Sequence, residues 1–287
     1  MLLIAVLIAA VDDDRMGMHR FRQGLRRLHA GGQENLTLGD GAVEPRGFQQ
    51  YDQYDSMLSS IYGVHNPYQD FQPRPIDLQG WGNHFELYAQ VVKKLNPSLI
   101  VEVGVWKGAS TCSFAKALRR QGKGVVVAVD TWLGAIEFWT HEHRGYRFNE
   151  ADRAARNLRF VHGWPTVFYT FLSNVVQQEL QRFVVPFPAA SNLAQKFFKS
   201  KAYMIDVIHI DASHEYDDVK ADLHGWWGLV RPGGVLIGDD YNHPGFPGVT
   251  QAVDEFAKAY EVSVEHSPPK WVIWKPHPKI VPGAPTP

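Results

Sequence analysis

The chain is poor in cysteine and carries almost no net charge. Cys112 is the only cysteine among 287 residues, which excludes an intrachain disulfide and a zinc site built on cysteines. The formal net charge is −1, so we expect no nucleic-acid partner. A single thiol is typical of proteins in a reducing compartment, and we expect the chain to be cytoplasmic.

Long apolar runs are also lacking. The apolar run over residues 1–11 is too short to cross a bilayer as a helix, and three aspartates follow it. We therefore expect no stable membrane span. The same run leaves a weak signal or anchor open, because a secretory leader needs an apolar core of about this length, 7–15 residues.

Two common nucleotide-binding signatures, G-x-G-x-x-G and G-x-x-x-x-G-K-[ST], are missing as well. Residues 101–111 instead read V-E-V-G-V-W-K-G-A-S-T, an apolar run joined to a helix-like run through a turn with Gly104 and Gly108. Such a turn lets a ligand approach backbone N–H groups that lack an intrahelical partner. The nearby carboxylate of Glu102 favours a ligand with an amino group over one with pyrophosphate.

From residue 84 onward, short apolar runs alternate with longer amphipathic ones. The apolar runs predict strands over 99–105, 125–130, 183–187, 207–211 and 235–239. The amphipathic runs predict helices over 84–95, 110–121, 165–180, 191–200, 216–230 and 249–260. This alternation predicts an α/β fold, a doubly wound and mostly parallel sheet. Residues 261–265 and 271–274 predict an antiparallel C-terminal hairpin at the sheet edge.

The composition changes along the chain and suggests four regions. We interpret residues 1–46 as an apolar segment with a polar linker, 47–83 as a cap or lid, 84–276 as the main domain, and 277–287 as a disordered tail. The segment 131–164 is a second candidate lid. Aromatic residues in the two lids would suit a sugar face or an aromatic ring, or would only close a core: Trp81, Trp132, Trp139 and Tyr146.

Acidic residues stand where the predicted strands end. Parallel strands point their carboxyl ends to one edge, so the acids should converge on one cleft, where crowded like charges need a cation. They are Glu102, Asp130, Asp211, Asp239 and Asp240. A carboxylate in the place of Asp130 can accept both hydroxyls of a ribose, or it can cap the next segment.

The acids at the last two of these strand ends form a hard oxygen site. Asp211, Asp239 and Asp240 suit magnesium, calcium or manganese, although each could instead cap a helix or hold a loop. His214 lies within reach and is a candidate general base, a fourth ligand, or a loop histidine bonded to backbone. Trp132, directly after Asp130, could stack on an adenine or simply pack.

Together these motifs resemble those of the class I S-adenosylmethionine-dependent methyltransferases. V-E-V-G-V-W-K-G-A-S-T resembles the first motif of that family and V-V-V-A-V-D-T-W the second. I-D-V-I-H-I-D-A-S-H-E-Y resembles the fourth strand, and L-V-R-P-G-G-V-L-I-G-D-D-Y the turn and strand that follow. The resemblance covers residues 81–275 and implies a Rossmann-like methyltransferase fold. The D-A-S-H-x-Y and G-D-D-Y pair is similar to the macrocin O-methyltransferase group.

The resemblance implies a role for each motif residue. Glu102 would hold the methionine amino group, Gly104 and Gly108 would leave room for the methionine part, and Ser110 and Thr111 would bond its carboxylate. Asp130 would take the ribose hydroxyls, and the three aspartates would chelate Mg²⁺ or another divalent cation. Two positions depart from the family. Ser191 partly replaces an acid that often contacts the adenine, and Ser213 stands where close relatives carry an acid, which leaves His214 or water to take the proton.

These expectations favour S-adenosylmethionine-dependent O-methylation of a small hydroxylated acceptor, such as a sugar, a glycoside or another natural product, with divalent-metal assistance. One alternative is a domain that binds S-adenosylmethionine without catalysing a reaction. A nicotinamide-dependent oxidoreductase is the third reading, against which the missing G-x-G-x-x-G motif and Glu102 argue. The sequence leaves the oligomeric state open, a homo-oligomer included.

Overall fold

The structure, a computed structural model, describes residues 49–79, 85–136, 139, 142–143, 146–147 and 158–278. The predicted apolar segment and linker at 1–46, most of the predicted tail, and Trp81 lie outside the described residues, as does the side chain of Tyr146. None of the helices in the described part of the chain is both long enough and apolar enough to span a bilayer.

The described residues form the following helices, in chain order: α1 (Gln49–Tyr62), α2 (Phe85–Leu95), α3 (Ala109–Gln121), α4 (Thr166–Gln177), α5 (Ser191–Ser200), α6 (Tyr216–Trp227) and α7 (Pro247–Ala259). The strands of the main sheet are β1 (Leu99–Val103), β2 (Val125–Asp130), β3 (Val184–Pro188), β4 (Ile205–Ile210), β5 (Val230–Gly238), β6 (Glu265–Ser267) and β7 (Lys270–Trp274). Two pairs of two-residue strands lie within 142–147 and 160–165.

The main sheet has the strand order β3-β2-β1-β4-β5-β7-β6. Strands β1 to β5 are parallel, β7 is antiparallel to β5, and β6 is antiparallel to β7. The predicted doubly wound sheet with an antiparallel C-terminal hairpin is therefore confirmed. The predicted strand at 261–265 is wrong except at its last residue, because the chain there is still in the turn that ends α7, where Glu261 has a φ of 52°.

Alternating side chains of the buried strands build a core layer on each face of the sheet. Strand β1 is buried along its whole length, as a central strand of a parallel sheet should be. Val101 and Val103 pack in one layer and Ile100 in the other, since successive residues point to opposite faces. The first layer includes Tyr54 and Met57 of α1, so this part of the predicted lid contributes to the core.

Candidate functional site

The turn between β1 and α3 is pressed against the end of β4. Gly104 has a φ of 82°, and a Cβ on it would lie 1.9 Å from the backbone oxygen of Asp211. Gly108 has a φ of 83°, and its Cβ would lie 2.7 Å from the Phe171 ring. We expected both glycines to leave room for a ligand. The space their missing side chains leave is instead filled by the protein itself.

Asp130 at the end of β2 holds this turn by its backbone. Its Oδ2 accepts hydrogen bonds from the N–H groups of Val105 at 2.7 Å and Trp106 at 2.8 Å, and its Oδ1 accepts one from Trp132 N–H at 2.7 Å. Burial raises the pKa of the carboxyl, and these donors oppose that rise. Because each carboxylate oxygen has two lone pairs, one acceptor site remains, enough for one ribose hydroxyl rather than the expected two.

Glu102 faces the interior rather than the cleft. Its side chain is completely buried, Thr111 Oγ1 donates to its Oε2, and His209 Nδ1 lies 3.0 Å from its Oε1. Glu102 and His209 are register partners in β1 and β4, and so their side chains lie on the same face of the sheet. Thr111 is equally buried. Both side chains anchor β1 to α3 and β4 and do not reach the surface where a ligand would bind.

Lys270 at the start of β7 lies among the acids of the candidate site, and the sequence analysis did not identify it. It is 1% exposed, and its Nζ lies 2.5 Å from Asp239 Oδ2, 3.8 Å from Asp211 Oδ2 and 3.4 Å from His209 Nε2. Burial lowers the pKa of Lys270, but the carboxylates outweigh burial and hold that pKa above its usual value. The available signal was a lysine before the apolar run W-V-I-W in a predicted edge strand.

The candidate metal centre contains two of the three expected aspartates. One oxygen each of Asp211 and Asp240 and one ring nitrogen of His214 all lie within 4.8 Å of one another, and His214 Nε2 is 3.0 Å from Asp240 Oδ2. Asp239, expected to be the third ligand, is paired with Lys270 instead. A local sequence reading could not foresee this, because Lys270 reaches the site from a distant strand.

The electrostatics of the two half-buried aspartates, Asp211 and Asp239, differ because of Lys270. Burial raises the pKa of Asp211 to about 6, with Asp239 and Asp240 acting in the same direction and Lys270 against it. Burial also acts to raise the pKa of Asp239, but the adjacent Lys270 ammonium reverses the effect and the pKa falls below its ordinary value. Asp239 is thus the carboxylate whose charged form is stabilised by the lysine.

An open depression with a cavity volume of only about 10 Å³ lies over these residues, and Ser213, Val249 and Trp271 help to line it. The ring of His214 stacks on Phe246 with the centroids 3.8 Å apart, which fixes the plane of the imidazole. Ser213, which stands where an acid was noted in relatives, donates to Asp218 Oδ2 at 2.7 Å in the first turn of α6. Ser213 therefore points toward that helix.

Two other expected cofactor contacts are Trp132 and Ser110. Trp132 is completely buried and packs against Phe168 and Phe171, and its Nε1 donates to the backbone oxygen of Trp106 at 2.9 Å. Of the two alternatives for Trp132, packing therefore applies, because its ring has no exposed face on which an adenine could stack. Ser110 is half-buried in the first turn of α3.

Ser191, the expected substitute for the adenine-contacting acid, faces α6. Its Oγ donates to Asp222 Oδ1 and accepts a hydrogen bond from Trp226 Nε1 at 2.9 Å. Gln195 Nε2 completes the group at 3.2 Å from the same Asp222 oxygen. These bonds join α5 to α6.

The segment at residues 66–79, which we call the strap, forms hydrogen bonds with the turn between β1 and α3. Lys107 is buried and its Nζ lies 2.6 Å from Asp77 Oδ2, while Trp106 Nε1 donates to Gln79 Oε1 at 3.0 Å. Asn174 of α4 donates to the backbone oxygens of both Asp77 and Lys107 at 2.8 Å. The turn after β1 is thus held by Asp130 from inside and by the strap from outside.

Comparisons with known proteins agree with this architecture. Residues 101–241 match a family model described as a methyltransferase domain, which covers the chain from β1 to the residues just after β5. The solved structure of the O-methyltransferase NovP is similar with a TM-score of 0.50 and 20% identity, over 67% of this chain and 79% of that chain. An O-methyltransferase from Bacillus cereus in complex with SAH has a TM-score of 0.46 and 16% identity, over 78% and 98%.

A relative by sequence is the uncharacterized protein y4gI of Sinorhizobium fredii. It is 26% identical over 166 residues, which are 56% of this chain. The matched part is only 15% of the length of that protein. The family model thus spans the strand ends and turns at the carboxyl edge of the sheet, and the similarity to NovP supports the fold.

Proposed function

Because this chain belongs to the class I S-adenosylmethionine-dependent methyltransferases, we propose that it transfers a methyl group to a hydroxyl oxygen of a small acceptor, such as a sugar, a glycoside or another natural product, with the help of a divalent cation. One observation carries the proposal: the turn at Gly104 touches the backbone of Asp211. The turn that would bind the cofactor and the acids that would hold the cation are therefore immediate neighbours at one edge of the sheet.

The residues of the turn supply what a methionine moiety and a ribose need. The first N–H groups of α3 have no intrahelical partner and suit a carboxylate, with Ser110 beside them. Asp130 keeps one acceptor site for a ribose hydroxyl. The hydrogen bond between the buried side chains of Glu102 and Thr111 fixes the first turn of α3 to β1.

The donor set of Asp211, His214 and Asp240 fits a divalent cation. Two carboxylates and an imidazole are ordinary ligands of such ions, and their donor atoms are close enough to share one. When bound, the cation would supply charge that holds the acceptor oxygens and lowers the pKa of the attacking hydroxyl. Most of the rate would then come from positioning and charge neutralisation at an edge that the protein prearranges.

The proton of the acceptor hydroxyl must leave as the new C–O bond forms. His214 is the group beside Asp211 and Asp240 whose unperturbed pKa suits proton transfer near neutral pH. Its Nε2 can accept that proton or bind the cation, but it cannot do both at once. If Nε2 binds the cation, water in the open depression takes the proton.

The test is methyl transfer from S-adenosylmethionine labelled in the methyl group, with and without Mg²⁺ or Mn²⁺, over a panel of sugars, glycosides and phenols. We expect a labelled product whose mass identifies one added methyl group and whose ether linkage survives mild base. Cofactor binding without transfer to any acceptor would favour the non-catalytic domain. Label appearing on nitrogen or carbon would contradict O-methylation while leaving the family assignment intact.

A further inference from the structure

A buried ammonium group stands among the acids of the candidate metal centre. Lys270 is 1% exposed, and Asp239, Asp211 and His209 lie at 2.5, 3.8 and 3.4 Å from its Nζ. Because the side chain is enclosed on all sides, the positive charge cannot move into solvent. Lys270 is therefore a fixed part of this site and competes with any bound cation for the same carboxylates.

The contacts of Asp239 show which acid the lysine occupies. Its Oδ2 pairs with Lys270 at 2.5 Å, and its Oδ1 accepts the backbone N–H of Asp240 at 2.9 Å. Asp240 carries its own carboxylate to His214 at 3.0 Å. The three groups whose donor atoms gather within 4.8 Å are accordingly Asp211, His214 and Asp240, with Asp239 outside the group.

We infer that Lys270 determines which cation this site binds. By holding Asp239, the lysine leaves the third ligand position to His214, and the resulting set of two carboxylates and one imidazole favours a first-row transition cation such as Mn²⁺, Fe²⁺ or Co²⁺ over Mg²⁺. The inference rests on the proposed function, since it concerns the cation that would assist the transfer. It goes beyond that proposal in assigning a role to Lys270 and in naming the class of ion.

The chemistry of the ligands gives the direction of the preference. Mg²⁺ binds oxygen ligands in strict octahedral geometry and keeps much of its water, whereas imidazole nitrogen is an ordinary ligand of first-row transition cations. Asp211 and Asp240 supply two negative charges, which match one divalent cation. The third carboxylate charge, on Asp239, is already matched by Lys270.

A chain of contacts between buried side chains connects the candidate metal centre to the turn after β1. Lys270 contacts His209, His209 bonds Glu102, and Glu102 accepts from Thr111 in the first turn of α3. Lys270 is therefore a positioning residue for both halves of the edge. A substitution that keeps its charge, Lys270→Arg, enlarges the group and should disturb this packing.

The experiment measures binding of Mn²⁺ to the full chain by electron paramagnetic resonance, with neither cofactor nor acceptor present. We expect bound Mn²⁺ to show hyperfine coupling to an imidazole nitrogen. The coupling should disappear in His214→Asn and persist in His224→Asn, a matched control on the exposed side of α6. Competition should show Mg²⁺ binding at least about tenfold more weakly than Mn²⁺.

The second arm removes the lysine. In Lys270→Met the freed Asp239 should become a ligand, and the affinity for Mg²⁺ should rise about tenfold because an additional carboxylate joins the set. The double variant Lys270→Met/Asp239→Asn removes the buried pair together and should return to the preference of the unmodified chain. Lys220→Met, at a surface pair with Glu255, is the control and should change nothing.

Each result has a definite meaning. Absence of nitrogen coupling, equal affinity for Mg²⁺ and Mn²⁺, or no bound Mn²⁺ in the unmodified chain would overturn the inference, even if Lys270→Met fails to fold. Methyl transfer without any bound metal would leave the methyl transfer of the proposed function standing, but it would remove both the assisting cation and this inference. Metal binding as expected, with no methyl transfer to any acceptor, would support this inference and contradict the proposed methyltransferase activity.

Discussion

Glu102 and His209 form a hydrogen-bonded pair, with Nδ1 and Oε1 3.0 Å apart and neither side chain exposed to solvent. Each residue is polar in a strand whose other side chains are mainly apolar, and each would be costly to bury alone. The pair gains from its partners on both sides, Thr111 and Lys270. This relationship joins the cofactor side of the sheet edge to the candidate metal centre.

Replacing Glu102 by Gln should destabilise the fold. The amide keeps the size of the side chain but cannot accept from both Thr111 and His209, so we expect a loss of about 2–4 kcal/mol in the free energy of unfolding. Chemical denaturation measures it. Glu86→Gln, at an exposed position on α2, is the control and should stay within about 0.5 kcal/mol of the unmodified chain. Equal losses in the two variants would contradict the role assigned to Glu102.

Gly104→Ala should be far more damaging than Gly122→Ala. Both glycines have a φ of 82°, but a Cβ on Gly122 meets nothing within 4 Å, whereas one on Gly104 lies 1.9 Å from the Asp211 backbone oxygen. The backbone conformation alone should cost about 1–2 kcal/mol in Gly122→Ala. Thermal unfolding of the two variants separates that cost from the contact. If Gly104→Ala unfolded no earlier than Gly122→Ala, the close approach would not be as described.

Asp130→Asn should weaken binding of S-adenosylmethionine by about tenfold to a hundredfold, since the amide NH₂ cannot accept from the N–H groups that now reach both oxygens and the turn loosens. Equilibrium dialysis with labelled cofactor measures the change. The matched control, Asp217→Asn, alters an exposed acid of the first turn of α6. An affinity in Asp130→Asn that equals that of the control would rule out Asp130 as the residue that shapes the turn.

The stability of the chain should carry a pH-dependent contribution from Asp222. Burial raises its pKa to about 6, against the ordinary value of 3.8, while the Ser191 hydroxyl bond lowers it. The folded state therefore holds this proton more tightly than the unfolded state. The contribution is most favourable below about pH 4, falls as the pH rises to about 6, and amounts in all to on the order of 2–3 kcal/mol.

Asp222→Asn removes this titration and keeps an oxygen that can accept from Ser191. Denaturation at several pH values should show the difference between variant and unmodified chain growing in favour of the variant from pH 4 to pH 6, and staying constant above. A difference that does not vary with pH would show that Asp222 titrates normally.

Much of the fold could be predicted because its signals are local. The apolar runs of β1 and β2, the turn at Gly104, and the aspartates that follow the strands all lie within short stretches of sequence, and these predictions were confirmed with ends shifted by a few residues. The edge hairpin was placed too early because apolar alternation at 261–265 continues past the true end of α7. The turn there depends on a left-handed residue, Glu261, that no composition rule indicates.

The site was harder to predict because its key contacts are long-range. Glu102 and His209 are 107 positions apart, and Lys270 is 31 positions from Asp239; only the strand order brings them together. A useful signal was overlooked: a lone acid in one central strand and a lone histidine in its neighbour indicate a buried pair. The orientation of Ser191 and the burial of Trp132 depend on how helices pack over the sheet, which spacing alone does not define.

We propose that the edge formed by the Gly104 turn, Asp130 and Asp211 binds the adenosyl cofactor. The decisive experiment is isothermal titration calorimetry of the unmodified chain with S-adenosylmethionine, since it needs neither acceptor nor metal. We expect one site per chain with a dissociation constant in the micromolar range, about 1–100 μM. A flat titration with folded protein at concentrations well above that range would contradict it.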